Sequence, residues 1–377
     1  MFCLLACILF SPSIFSQAAE FLPGVANFEV YRSLLSGKRV GLVVNQASIF
    51  SGVHTIDFLR ARGVQVVRLY ALEHGVRGQG GAGEEIVDSV DETTGIPIVS
   101  LYGPKKKPDA QSLRGVDILV YDIQDVGVRF FTYISSLGLI LEAAGEHRLP
   151  VLVLDRPNPN GDYIDGPVLK AENKSFVGAF PIPLVYGLTP GELAKMIVGE
   201  RWQKIAELDL HVIPMRGYDR ALSRPPEARP SPGLRSMQAI RAYPSLALFE
   251  PSIISIGRGT AHPFEQFGIP VERLGEHTFV PRSPSDGIYD GEICYGEEFY
   301  SRPLVEVPKF TTDIFSRAYQ RVKRRPFLTN PRFLELLMGD KRVVAEMLAG
   351  KPYSEIRKSL AAELAAFERA RKPYLLY

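Results

Sequence analysis

The sequence predicts an α/β protein built on a doubly wound, mostly parallel sheet. Three observations predict it. From Lys38 onward, short β-branched runs alternate with amphipathic segments, the pattern of strands joined by crossover helices. The runs are apolar along their whole length, as in strands covered on both faces. Each then stops at polar residues, which marks a series of carboxyl ends along one edge of the sheet.

The elements follow in order. MFCLLACILFSPSIFSQAAE, residues 1–20, is apolar and closes on small residues, Ser16-Gln17-Ala18, so it is expected to be a cleaved leader directing export to the periplasm or outside the cell. Leu4-Leu5-Ala6-Cys7 resembles a lipoprotein box, but it comes too early and is followed by apolar residues, so a lipid anchor is the less favoured form. A first domain is expected over 21–245. Its strands and helices read RVGLVVN, TIDFLRARG, VQVVRLYAL, IPIVSLYG, VDILVYDIQ, YISSLGLILEAAGEH and PVLVLDRP. The strand ends carry Asn45-Gln46, Glu73-His74, Tyr102-Gly103, Asp122-Gln124-Asp125 and Asp155-Arg156-Pro157-Asn158, five segments expected to converge on one cleft. Leu188-Thr189-Pro190-Gly191-Glu192 spells a capping-box helix start. Arg220 to Ser236, rich in Pro and Arg, reads as a long surface loop. The second domain, 246–377, is expected to complete the cleft, with IISIGRGT as a strand and turn and two helices at the C-terminus.

Composition narrows the function. Lys plus Arg (44) nearly balance Asp plus Glu (42), which gives no electrostatic case for nucleic acid or an anionic membrane surface. No segment after residue 20 is long and apolar enough for a stable membrane span. Cys294 is the one cysteine beyond the leader, so no disulfide framework is available, and no paired-histidine spacing announces a metal. The expected partner is a small or neutral molecule, with no cofactor.

LEHGVRGQGGAGEE, residues 72–85, places Gly78, Gly80 and Gly83 at the G-x-G-x-x-G spacing of a dinucleotide fold. That reading needs the glycines to follow the first strand, open a helix and precede an acidic strand end by about 20 residues. None of the three conditions is met, so the glycines are expected to permit a close irregular loop that displays Glu73, His74, Arg77 and Glu84. Such a concentration of ionisable groups at a strand end suits proton transfer or anion recognition. A second dense segment, Asp122 to Tyr133, sets Asp122, Gln124, Asp125, Arg129 and Tyr133 behind an apolar strand and beside Phe130 and Phe131. Aromatic rings next to hydrogen-bonding groups match the apolar faces and hydroxyl edges of a sugar.

EHGVRGQGGAGE, DIQDVGVRFFTYISSL, LDRPNPNG, VYGLTPGELA, YPSLALFE and IGRGTAHPFEQFGIP, in this order, resemble the exo-β-N-acetylmuramidases of the NamZ type. The likeness runs from about Arg39 to the terminal YLLY and is strongest before Pro270. It implies a Rossmann-like domain that carries the active site without a nucleotide, a smaller α+β C-terminal domain, and removal of terminal, non-reducing N-acetylmuramic acid from peptidoglycan fragments. Within that implication Glu73 is the expected general acid, with His74 and Arg77 placed to orient it or to hold an anion. Asp122, Asp125 or Glu84 supplies the second group, either by activating water or by polarising the substrate's own 2-acetamido group. Arg77, Arg129 or Arg258 would take the lactyl carboxylate. Gln124, Tyr133, Asn45, Asn158 and Tyr186 are the further expected substrate contacts. Two positions depart from the pattern: Pro251 and Ser252 stand where relatives tend to have Gly-Thr, and Ala261 where they tend to have Asp. The competing readings are a non-catalytic sugar-binding protein and an esterase or amidase; the latter would need an activated Ser or Cys, and no G-x-S-x-G elbow is present.

Overall fold

The computed structural model describes residues 21–78, 80, 83–84, 86–203, 205, 207–282, 287–323 and 326–377. The expected leader lies outside the described residues. Helix α1 (Phe28–Leu35) precedes strand β1 (Arg39–Val44), a small hairpin of β2 (Ile49–Phe50) and β3 (Val53–His54), and helix α2 (Thr55–Arg60). Strands β4 (Gln65–Ala71), β5 (Ser89–Val90), β6 (Pro97–Ser100) and β7 (Ile118–Asp122) lead to helix α3 (Tyr133–His147). Strand β8 (Val151–Leu154), helix α4 (Pro190–Gly199) and strand β9 (Leu210–Ile213) complete the first half.

Seven of these strands form one sheet in the order β5-β6-β4-β1-β7-β8-β9. All neighbours are parallel except β5, which pairs antiparallel with β6 at the edge. The side-chain period of two is visible on β1, where Val43 enters one core while Val40, Leu42 and Val44 enter the other. Helices α3 and α4 contribute to the first core and α1 and α2 to the second, so both sheet faces are covered, as the unbroken apolar runs require. The Thr189 side chain accepts from Glu192 N while Glu192 accepts from Thr189 N, so the capping box forms as the sequence predicts.

The second half starts from helix α5 (Met237–Leu246) and continues through strands β10 (Gln266–Ile269), β11 (His277–Phe279) and β12 (Cys294–Glu298), which form an antiparallel sheet. Helices α6 (Asp313–Arg321), α7 (Pro331–Met338), α8 (Lys341–Leu348) and α9 (Tyr353–Arg371) close the chain. Two expectations are corrected here. IISIGRGT forms no strand: Ser255 makes one isolated bridge to Gly268 and the chain then turns. The first of the two expected C-terminal helices is split into α7 and α8 at Gly339 (φ +80°), with Asp340 accepting from Arg342 N and Val343 N as a new N-cap. The core of this half is continuous with the first, joining Leu137 and Phe180 to Phe249, Phe315 and Leu334.

Candidate active site

The order of the sheet reverses between β4 and β7, which both flank β1, and a ligand crevice is expected outside the carboxyl ends there. On the β7 side that space is taken up by a buried ion pair. Asp122, at the end of β7, is fully buried and receives a forked pair of bonds from Arg156, one of them at 2.8 Å. Thr55 donates to the same carboxylate and Arg156 also reaches the Ile49 carbonyl at 3.0 Å. A buried carboxylate satisfied on both oxygens ties the end of β7 to the segments that follow β1 and β8.

The open cleft lies to one side, over β4, β6 and β7, where the second half of the chain covers the sheet edge. It encloses about 460 Å³ and is lined by Glu73 and His74 after β4, Tyr102 after β6, Phe130 to Thr132 after β7, and Tyr243, Glu250, Arg258 and Phe264 from the second half. Of the five strand ends expected to converge, those of β4 and β6 reach it, together with the loop that follows β7.

Glu73 is anchored by donors. Tyr102 Oη donates to its Oε1 at 3.0 Å, Gly83 N to the same oxygen at 3.2 Å, and Thr132 Oγ1 to Oε2 at 3.4 Å. The two hydroxyls can also rotate to accept, so either protonation state of the carboxyl can be hydrogen-bonded. His74 is buried in the left-handed region (φ +72°), with Nδ1 3.2 Å from the Gly80 carbonyl. This backbone kink, uncommon outside glycine, turns the chain away from β4 and leaves Glu73 facing the cavity. The glycines serve the same loop. Gly78 and Gly83 also have positive φ, and a Cβ on Gly80 would lie 2.5 Å from Ile86 Cδ1. Among the described residues no helix follows them, and the chain reaches the short edge strand β5.

Across the cavity, Tyr243, Ala247 and Glu250 present one face, because they are spaced i, i+4 and i+7 along α5 and the 3₁₀ turn after it. Glu250 accepts from Arg258 Nη2 at 2.9 Å, and the Arg258 guanidinium lies 4.9 Å from the centre of the Phe264 ring. Tyr243 packs edge-to-face against Phe130, Phe131 and Phe264, with centroids 5.3, 6.0 and 5.0 Å away, giving an aromatic wall.

Ten of the residues expected in the site do not line this cavity. Asp122 is held as described above. Asp125 is buried, accepts from Gly127 N at 2.6 Å and from Tyr186 Oη, and burial raises its pKa to about 7. Tyr186 is therefore a buried partner of Asp125. Gln124 donates to the carbonyls of Asp125 and Pro157, both at 2.7 Å. Asn158 donates to the Leu188 carbonyl at 2.8 Å and accepts from Asn160 N, while Asn45 accepts from Ala47 N at 3.0 Å at the end of β1. Arg129 is wholly buried and donates to the carbonyls of Pro167, Ile182, Leu337 and Met338 at 2.6–3.1 Å, bracing the sheet domain against the end of α7. Arg77 grips Asp91 with two bonds of 2.6 and 3.0 Å on a different face of the loop. Tyr133 donates to the Glu73 carbonyl at 3.2 Å and acts through that backbone. Glu84 is exposed and outside the cavity lining.

The two departures from the family pattern also stand off the cavity wall. Pro251 is buried and its carbonyl accepts from Thr329 N at 2.9 Å, and Ala261 is exposed, while their neighbours Glu250 and Arg258 line the site. A larger space of about 770 Å³ lies between the loops after β8 and β9 and helix α9. Its Asp162 is neutralised by Arg241 and Lys309 at 2.9 and 3.0 Å, and its Asp219 and Glu368 are exposed. It therefore lacks the enclosed, hydroxyl-bound carboxylate of the first cavity. Among the described residues no cluster of three metal-ligating side chains occurs, and no helix is long and apolar enough to cross a membrane.

Comparison with known proteins converges on one family. Residues 40–238 match the family described as exo-β-N-acetylmuramidase NamZ, N-terminal, and residues 241–377 match its C-terminal counterpart. The peptidoglycan β-N-acetylmuramidase NamZ of Bacillus subtilis (strain 168) is 36% identical over 371 residues, covering 92% of this chain and 89% of that protein. A crystal structure of a DUF1343 family protein from Bacteroides fragilis superposes with a TM-score of 0.87 at 36% identity, covering 95% of this chain and 99% of that one. A second from the same organism gives 0.82 at 30% identity over the same shares.

Proposed function

The chain belongs to the NamZ exo-β-N-acetylmuramidase family, and from that membership we propose that it is a glycoside hydrolase removing terminal, non-reducing β-linked N-acetylmuramic acid from peptidoglycan fragments. The observation that carries the reading is a pair of carboxylates, Glu73 and Glu250, brought from the two halves of the chain to the walls of one cavity with an aromatic side. Two carboxyl groups flanking a scissile bond are what glycoside hydrolysis needs. Glu73, bound by hydroxyls that can accept as well as donate, is the proton donor to the leaving oxygen. Glu250, its charge balanced by Arg258, is the carboxylate that supports the reaction at the anomeric carbon. Asp122 and Asp125 are buried against their own partners and off the cavity lining, and this reading gives them no part in the chemistry.

Arg258 is the guanidinium in the cavity lining, and a lactyl carboxylate is a ligand that its planar fork can hold. The rings of Phe130, Phe131, Tyr243 and Phe264 offer an apolar surface to one face of the sugar. Export agrees with such a substrate, since peptidoglycan lies outside the cytoplasmic membrane and residues 1–20 have the composition of a leader.

The test is release of 4-nitrophenol from 4-nitrophenyl β-N-acetylmuramide and from the corresponding N-acetylglucosaminide. The wild-type protein should prefer the muramide, and Glu73→Gln and Glu250→Gln should each lower kcat by about a hundredfold or more. Near-normal turnover in Glu73→Gln would remove it from the mechanism, and a folded wild-type protein inactive on both glycosides would favour the sugar-binding alternative.

A further inference from the structure

Tyr243 is not among the residues that the sequence marks for the site, yet it lines the same cavity as both carboxylates. Its ring is clamped edge-to-face by Phe130, Phe131 and Phe264, so its direction is fixed by packing rather than by its own hydroxyl. That hydroxyl has no hydrogen-bond partner among the described residues, although it is on the wall of the cavity that holds Glu73, Glu250 and Arg258. Burial, then the charges of Glu250 and Glu73, push its pKa well above the ordinary tyrosine value, so it remains a donor throughout the physiological range.

A packed ring that carries an unpaired donor into a cavity contrasts with the other tyrosines around the site. Tyr102, Tyr133 and Tyr186 each donate to a protein acceptor, Glu73 Oε1, the Glu73 carbonyl and Asp125 in turn. Tyr243 is half-buried on the cavity wall, so a ligand that displaces water from its hydroxyl must supply an acceptor in its place or leave the donor unpaired. The ligand must bring an acceptor close to the anomeric carbon, because the two proposed catalytic carboxylates flank that carbon and Tyr243 shares their cavity. In a 2-acetamido sugar the acceptor next to the anomeric carbon is the acetamido carbonyl oxygen.

We propose that Tyr243 is a substrate-contacting residue whose hydroxyl donates a hydrogen bond to the 2-acetamido carbonyl of the bound sugar. The proposal rests on the muramidase reading above and adds the group by which the site requires an N-acetylated sugar. It holds the acetamido arm in one orientation beside the reacting carbon and gives the acetylated substrate an advantage over one with a poorer acceptor.

The experiment is a cycle between enzyme and substrate. Wild type and Tyr243→Phe are compared on 4-nitrophenyl β-N-acetylmuramide and on its N-trifluoroacetyl analogue, whose carbonyl is a weaker acceptor. Tyr243→Phe keeps the ring and its three aromatic contacts, so its melting temperature should match the wild type. On the acetyl substrate kcat/KM should fall by about tenfold to a hundredfold, the loss expected for one hydrogen bond to a site left unpaired. On the trifluoroacetyl substrate the fall should be several-fold smaller, so that the variant discriminates less between the two. Equal losses on both substrates would overturn the contact with the acetamido group, and no loss on either would overturn any contact by the hydroxyl. A wild-type protein that is folded but inactive on the acetyl substrate would instead count against the muramidase reading itself.

Discussion

Replacing Asp125 by Asn is expected to leave turnover intact and to flatten the pH dependence of stability between about pH 4 and about pH 7. Burial is the largest cause of the raised pKa of Asp125, about 7 against an ordinary 3.8, and the donors from Tyr186 and Gly127 only partly oppose it. Between those two values the folded protein holds a proton that the unfolded chain has released. Folding therefore takes up a proton, and stability falls as pH rises through this window, with the contribution complete below about 3.8 and lost above about 7. Moving a carboxyl from 3.8 to about 7 corresponds to about 4 kcal/mol, an upper figure for one group. An amide in its place keeps an oxygen to accept from Tyr186 and Gly127 and has no proton to exchange.

The assay is urea-induced unfolding of wild type and Asp125→Asn at about pH 4 and about pH 8, with the difference between the two proteins compared across pH. Asp155, which burial also raises to about 7, is present in both proteins and cancels in that difference. The Asp125→Asn variant should gain on the wild type by a few kcal/mol on going to the higher pH. Parallel pH profiles would refute the argument that burial of Asp125 opposes its ionisation. Loss of turnover in a folded variant would return Asp125 to the chemistry and undo its reading as the buried support of the Tyr186 and Gly127 contacts.

Arg129→Met should destabilise the protein by about 3–5 kcal/mol, because four backbone carbonyls lose their donor, while KM of the folded enzyme stays unchanged; thermal melting and steady-state kinetics check the two halves. Arg77→Ala should lower stability by about 1–3 kcal/mol through loss of its forked bonds to the buried Asp91, again without a change in KM, and a tenfold rise in KM would mean that Arg77 meets substrate after all. Deleting Leu376 and Tyr377 should lower the melting temperature. Tyr377 Oη donates to Asp155 at 2.8 Å and accepts from Met215 N at 2.7 Å, and Leu376 N donates to Glu192 at 2.8 Å, so the deletion unties the terminus from the β8 edge and from α4. An unchanged melting temperature would show that these bonds are replaced by water at no cost.

The sheet was legible because its strands are buried on both faces and their apolar runs end sharply, and the capping box at Thr189 was legible because both partners lie within four residues. What local patterns could not carry were the terms decided by distant contacts. The break between α7 and α8 falls at Gly339, where the left-handed backbone also makes room for Arg129: a Cβ there would lie 2.3 Å from Arg129 Nη2. The glycine can be read as a stop, but its neighbour is 210 positions away in sequence.

The candidate site shows why polar residues at strand ends are an ambiguous signal. Asp122 and Asp125 follow a buried strand just as Glu73 follows another, and nothing within a few residues distinguishes them. The difference is the partner each meets in space. Arg156 closes both oxygens of Asp122 and Tyr186 covers Asp125, whereas the hydroxyls of Tyr102 and Thr132 hold Glu73 at the cavity wall. The opposite wall did leave a trace in sequence: Tyr243, Ala247 and Glu250 in YPSLALFE keep the i, i+4, i+7 spacing of one helical face, with two polar-tipped residues where a core-facing stripe would be apolar. A helical stripe interrupted by a carboxylate and a phenol can be stable only if it faces water, a buried partner or a ligand. Here Glu250 has Arg258 while the Tyr243 hydroxyl faces the cavity, so the stripe belongs to the site as much as to the fold.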